Sequence, residues 1–201
     1  MESSSFISAL LLAAGRGERM GGVKQLLPLG EQRMIEAALG NLQKSRVDEI
    51  IVVLGFAAAE ICPFVEGKER VTVVMNPLFE EGMSTSIHEG LLALDPRASG
   101  ILIALADQPL IPPEVINKLI EGFVTGAQGI VLPAYQGQQG HPVIFDRKRY
   151  EGELLALQGD VGGREIVETH PDDVLEVEVA SRGIVIDIDA PEDYKNIQGE
   201  S

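Results

Sequence analysis

At 201 residues and 45% hydrophobic content, with no long low-complexity tract, the chain fits one globular domain that buries about 70% of the surface its unfolded form would expose. A formal charge of −15 and a pI near 4.5 argue against nucleic-acid or anionic-membrane partners, which are bound by clustered Lys and Arg. A single cysteine, Cys62, no basic and apolar leader over residues 1–5, and no apolar run near ~18 residues point to a cytoplasmic protein without an intrachain disulfide, in which Cys62 fills apolar space.

In chain order, residues 6–13 are apolar apart from Ser8, as in a central parallel strand covered on both faces. The loop LAAGRGERMGGVKQLLPL follows at residues 12–29, with four glycines and the cations Arg16, Arg19 and Lys24. Glycine lets backbone N–H groups approach a ligand, and the cations complement phosphate. A Walker A loop is excluded because Lys24 precedes Gln25 and not a hydroxyl residue. The dinucleotide fingerprint fails because its third glycine falls on Met20. Ile35, Ala38, Leu39 and Leu42 then recur at helical spacing. A second buried strand spans residues 49–54, a short helix runs from Ala57 and stops before Pro63, and a third strand spans residues 71–75. This alternation predicts an α/β sheet with right-handed crossovers.

Asn76 and Pro77 interrupt the pattern, and GMSTS at residues 82–86 leads into a helix carrying Ile87, Leu91 and Leu94. Ser84 or Thr85 would cap that helix and leave an anion-binding N-terminus. Residues 100–106 form the most apolar strand, ending abruptly at Asp107, where open α/β sheets place ligand groups. Pro109, Pro112 and Pro113 separate Asp107 from the next helix, so it does not cap it. A strand at 129–133, the polar turn QGQQGHP at 136–142, a short strand at 143–145, a helix through Leu154, Leu155 and Leu157, and the turn GDVGGR at 159–164 complete a region resembling the rim of a second pocket. Residues 173–179 read as an antiparallel strand. In residues 183–189 period-two alternation would put Asp187 and Asp189 on one strand face, before a closing helix opened by Pro191. Asp107 and a second strand-end carboxylate suit a hard ion such as Mg²⁺. His88, His141 and His170 have no zinc-ligand spacing, and no Ser–His–Asp or Cys–His set is present.

These residues suit nucleotidyl transfer from a nucleoside triphosphate to a substrate phosphate, which needs no protein nucleophile because a phosphate monoester, with second pKa about 6, is largely ionised at neutral pH. In that scheme Asp107 and Asp189 hold Mg²⁺ against the α-phosphate, while Arg19 and Lys24 neutralise the departing pyrophosphate.

The loop at 12–29, NP at 76–77 with GMS at 82–84, LADQP at 105–109, GHPV at 140–143, GDVGGR at 159–164 and DIDAPEDY at 187–194 together resemble the molybdenum cofactor nucleotidyltransferases, in order and over nearly the whole chain. The LAAG opening is similar to the cytidylyltransferase branch, which joins CMP from CTP to molybdenum-bearing molybdopterin, where the guanylyl branch tends to have LAGG. The resemblance implies a single Rossmann-like nucleotidyltransferase domain over 1–201. Its mostly parallel sheet is flanked by helices and has a small antiparallel C-terminal portion. It implies a nucleotide half at about 6–110 and a cofactor-substrate half at about 111–195. It assigns nucleotide to Leu12, Ala13, Ala14, Gly15, Arg16, Gly17, Arg19, Lys24, Asn76 and Ser84, with Arg19, Lys24 and Asp107 catalytic. It assigns molybdopterin to Gln108, His141, Asp160, Gly162, Gly163 and Arg164, and Mg²⁺ to Asp107 and Asp189. A client molybdoenzyme would be a transient partner. Gly17 departs from the serine of many relatives and removes a hydroxyl contact. Guanylyl or sugar-phosphate transfer, and a non-catalytic chaperone for molybdopterin or nucleotide, are the competing readings. A glycosyltransferase would carry Asp-x-Asp where this chain has Asp107-Gln108-Pro109.

Overall fold

The computed structural model describes residues 5–17, 22–188 and 190–199. In chain order the elements are β1 (Phe6–Ala13), β2 (Pro28–Leu29), β3 (Gln32–Arg33), α1 (Met34–Lys44), β4 (Glu49–Leu54), α2 (Ala58–Val65), β5 (Val71–Met75), α3 (Met83–Leu92), β6 (Ala98–Leu105), α4 (Pro113–Thr125), β7 (Ile130–Tyr135), β8 (Gln138–Gln139), β9 (Val143–Asp146), α5 (Arg147–Ala156), α6 (Arg164–Thr169), β10 (Val174–Glu178) and α7 (Pro191–Gly199). Among the described residues one sheet has the order β10-β7-β9-β6-β1-β4-β5, with β8 paired to β7, and β2 and β3 form a separate ribbon.

The continuous apolar runs of β1, β4 and β6 are explained by burial on both faces. Ile7, Ala9, Leu11 and Ala13 of β1 pack with Ile35 and Leu39 of α1, Ile61 of α2 and Leu119 of α4. The alternate residues Leu10 and Leu12 pack with Ile87 and Leu91 of α3, Leu154 of α5 and Ile166 of α6. Period-two strands thus feed two separate cores. From β1 the chain moves outward through β4 and β5, then returns through α3 to place β6 on the other side of β1. The carboxyl ends of β1 and β6 therefore lie side by side, and the loops that leave them wall a crevice. No helix of the described residues is long and apolar enough to cross a membrane.

Three sequence expectations change. β10 pairs with β7 in parallel, from Val174–Ile130 to Glu178–Ala134, and the antiparallel strands are β8 and β9. Asp173 explains the direction: its carboxylate accepts from Gly129 N at 3.0 Å, so the two strands start side by side. Helix α2 runs through Pro63, because the ring lies on the solvent side while Ile61 and Val65 face the core. Its missing N–H is opposite the carbonyl of exposed Ala59, within reach of water. Residues 182–185 form a 3₁₀ turn where a strand was expected, since Ile184 O accepts from His141 N and a Cβ at Gly183 would lie 2.4 Å from Leu110 O.

Candidate active site

The crevice between the ends of β1 and β6 holds the cation and carboxylate singled out by the sequence. Lys24, buried at 6% exposure in the 3₁₀ turn Lys24–Leu26, places Nζ 3.0 Å from Asp107 Oδ2. The Asp107 side chain is about one-third exposed, at 31%, so one partner anchors the pair and the other faces the opening. Buried Gln25 holds the glycine loop by donating Nε2 to Ala13 O at 3.0 Å and to Gly15 O at 2.8 Å. Leu12, Ala13, Gly15 and Gly17 line the crevice with Lys24 and Asp107. Gly17 has φ of +59°, and a Cβ there would lie 2.8 Å from Lys24 Cβ, so close approach to the lysine stem explains the glycine.

Beside it lies a second recess, lined by Ala14, Gly15, Phe79, Met83, Ser86 and Asp160. Arg16 is engaged here with the protein: it pairs with Glu80 and sits 5.8 Å from the Phe56 ring centre and 5.7 Å from that of Phe79. Asn76 is likewise committed, donating Nδ2 to Thr85 Oγ1 and Ser86 Oγ at 2.9 Å each and accepting from Leu78 N. It shapes the entry to α3 from a buried position. Gly82, and neither Ser84 nor Thr85, is the residue capping α3; Ser84 is buried and its N–H reaches Gly159 O at 3.1 Å, while Thr85 Oγ1 donates to carbonyls.

Across Asp107 and Gln108 the site opens into a cleft of about 520 Å³ lined by Gln108, His141, Val143, Arg164, Ile184 and Asp187. Gln108 Nε2 donates to Asp187 Oδ1 at 2.6 Å, and Ile188 N donates to Asp107 O at 3.0 Å, which brings the C-terminal segment to the end of β6. Burial pushes the His141 imidazole below its ordinary value, against the opposing pull of Asp187 and Asp107, so the ring is neutral at pH 7. Gln25 Oε1, Gln108 Oε1 and His141 Nδ1 are buried without a hydrogen-bond partner among the described residues.

Thus Leu12–Ala14, Gly15, Gly17, Lys24 and Asp107 gather in one place, and Gln108, His141 and Arg164 in the adjoining cleft. Asp160 lines the recess beside Ala14 and Gly15 and is not among the residues lining the larger cleft. Gly162 and Gly163 pack against protein: a Cβ would lie 2.8 Å from Met83 Sδ and 2.7 Å from Phe145 Cζ respectively. Arg19 and Asp189 lie outside the described residues. Gln25, Phe79 and Asp187 complete the arrangement. Of these, Asp187 was expected on one strand face with Asp189, whereas Gln25 and Phe79 were not singled out by the sequence. Among the described residues no cluster of three or more His, Cys, Asp or Glu side chains forms a metal cage. Mg²⁺ needs only one or two carboxylates when phosphates supply further oxygens, so the hard donor Asp107 fits a metal that arrives with nucleotide.

A strand-end carboxylate, a glycine loop after the first strand and a buried lysine between them are features of a nucleotide-handling α/β domain. The sequence matches the MobA-like NTP transferase domain family over residues 9–174, and the chain belongs to that family of nucleotidyltransferases. Nicotine blue oxidoreductase of Paenarthrobacter nicotinovorans is 29% identical over 82% of this chain and 83% of its own. The molybdenum cofactor cytidylyltransferase of Escherichia coli is 24% identical over 94% of each chain. Crystalline Rv0371c of Mycobacterium tuberculosis is 32% identical, with a TM-score of 0.85 over 98% of this chain and all of that one.

Proposed function

We propose that this nucleotidyltransferase moves CMP from CTP to the phosphate of molybdenum-bearing molybdopterin, releasing pyrophosphate and forming the cytosine dinucleotide of the cofactor. The observation that carries the reading is the Lys24–Asp107 pair in the glycine-loop crevice, one residue along the chain from Gln108 of the 520 Å³ cleft. CTP occupies the crevice against residues 12–17, with Lys24 and Arg19 on the triphosphate. The pterin lies in the cleft, its phosphate turned towards Asp107. Gln108, His141 and Arg164 are its polar contacts.

The substrate phosphate, its second pKa about 6, needs no general base near neutrality. Its oxygen forms a bond to the α-phosphorus as the bond to the bridging oxygen breaks, and pyrophosphate leaves with the electron pair. Lys24 and Arg19 neutralise the charge that builds on the leaving group. Neutral His141 hydrogen-bonds the pterin without adding a charge. When bound with the nucleotide, Mg²⁺ at Asp107 and Asp189 supplies charge neutralisation at the α-phosphate. The LAAG sequence at 12–15 and the Escherichia coli relative support CTP as donor.

Pyrophosphate release measured with CTP, GTP and ATP in turn, with Mg²⁺ and molybdopterin, tests the reading. Release with CTP that requires molybdopterin is expected. Equal rates with GTP would overturn the cytidylyl assignment, and no release with any triphosphate would overturn transfer itself in favour of a binding role.

A further inference from the structure

We infer that Asp160, from the turn between α5 and α6, determines which base the enzyme accepts, selecting one that presents an exocyclic amino group. The inference rests on the transferase reading only for the statement that a nucleotide fills the glycine-loop crevice.

Three observations place Asp160 for this task. It lines the recess that also includes Ala14 and Gly15 of the glycine loop, together with Phe79, Met83 and Ser86, and it is not part of the cleft that holds Gln108 and His141. That recess shares Leu12, Gly15 and Asp107 with the crevice around Lys24, so a triphosphate beside Lys24 extends into it. The carboxylate is also held in position. Its Oδ1 accepts from Met83 N at 3.3 Å, and the preceding carbonyl, Gly159 O, accepts from Ser84 N at 3.1 Å. The turn comes this close to α3 only because residue 82 is glycine. Gly82 has φ of +113°, and a Cβ there would fall 2.3 Å from the Gly159 carbonyl carbon. A segment distant in sequence therefore delivers a carboxylate to the wall of the nucleotide recess.

An ionised carboxylate only accepts hydrogen bonds. With one oxygen engaged by Met83 N, the remaining lone pairs suit the N4 amino group of cytosine, the pairing by which Asp and Glu read cytosine in nucleic acids. Uracil presents a carbonyl oxygen at the same position, and two acceptors repel. The single-residue marker Ala14 bears on CTP against GTP; Asp160 acts on the separate choice between amino and keto pyrimidines. Phe79 lines the same wall.

Calorimetric titration of the intact protein and of Asp160→Asn and Asp160→Ala with CTP and UTP, each with Mg²⁺, tests this. The native protein should bind CTP at least about tenfold more tightly than UTP. Asp160→Asn keeps an acceptor for Met83 N but can turn an amide donor towards the base, so it should shift preference to UTP; Asp160→Ala should erase preference. A native protein indifferent to the pyrimidine, variants with unchanged preference, or equal weakening of both nucleotides, as loss of a merely structural contact would produce, would each overturn the inference. Pyrophosphate release run in parallel separates the two readings: selective CTP binding without release defeats the transferase and leaves the role of Asp160 standing.

Discussion

Lys24 and Asp107 meet 83 positions apart in sequence, yet each was recognisable alone, the lysine by its glycine loop and the aspartate by its abrupt end to an apolar strand. Asp107→Asn keeps the shape of the side chain and removes its charge. Turnover should fall a few hundredfold, equivalent to about 3–4 kcal/mol of barrier, while circular dichroism shows the α/β fold retained; an active variant would remove Asp107 from the reacting centre. Gly17 was read from sequence as a lost hydroxyl contact. Its positive φ and the nearness of Lys24 Cβ give the glycine a reason of its own. Gly17→Ser should therefore cost roughly 1–2 kcal/mol in a denaturant melt and weaken triphosphate binding by displacing Lys24. A serine variant of undiminished stability and affinity would show that the loop adapts. Arg16 and Asn76 carried the right chemistry for phosphate, but Glu80 and the Thr85–Ser86 hydroxyls engage them, and no local pattern announces such partners.

At the scale of elements, β1 and β4 were legible to the residue because a strand covered on both faces is continuously apolar, and the half-exposed edge strand β5 through its β-branched run. β10 was not, since half-buried alternation is the same for parallel and antiparallel neighbours. Its direction depends on Asp173, which binds Gly129 N, the Tyr150 hydroxyl at 2.6 Å and Arg149, tying the start of β10 to β7 and α5. Burial alone would raise the Asp173 pKa, but hydrogen bonds from Tyr150, Gly129 and Arg149 outweigh it and hold the carboxyl below its usual range. A carboxyl with a depressed folded pKa stabilises the protein above its unfolded pKa of about 3.9, and that contribution is lost as pH falls through the folded value. Chemical denaturation should show Asp173→Asn less stable than the native chain at pH 7, with the gap narrowing below about pH 4. A gap independent of pH would mean that the contacts act through shape and not through charge.

For the whole molecule, a formal charge of −15 favours solubility and destabilises the compact state through self-repulsion. The salt bridges of Arg16, Arg97 and Arg164 are largely exposed and contribute little, so screening of the net charge dominates. Raising ionic strength from ~10 to ~150 mM, which shortens the Debye length from about 30 to about 8 Å, should raise the melting temperature; a fall would mean that local ion pairs outweigh the net repulsion. The same scale separates the two kinds of information in this chain. Sequence by itself determined the α/β class, the glycine loop and the strand-end aspartate, because burial on two faces and close backbone approach both leave local residue patterns. Tertiary structure alone decided that β6 returns beside β1 to open the crevice, that β10 runs parallel to β7, and that Asp160 enters the recess beside the glycine loop over Gly82. Those outcomes depend on contacts between segments tens of residues apart, whose energies are set by shape and hydrogen-bond geometry and leave no periodicity in either segment.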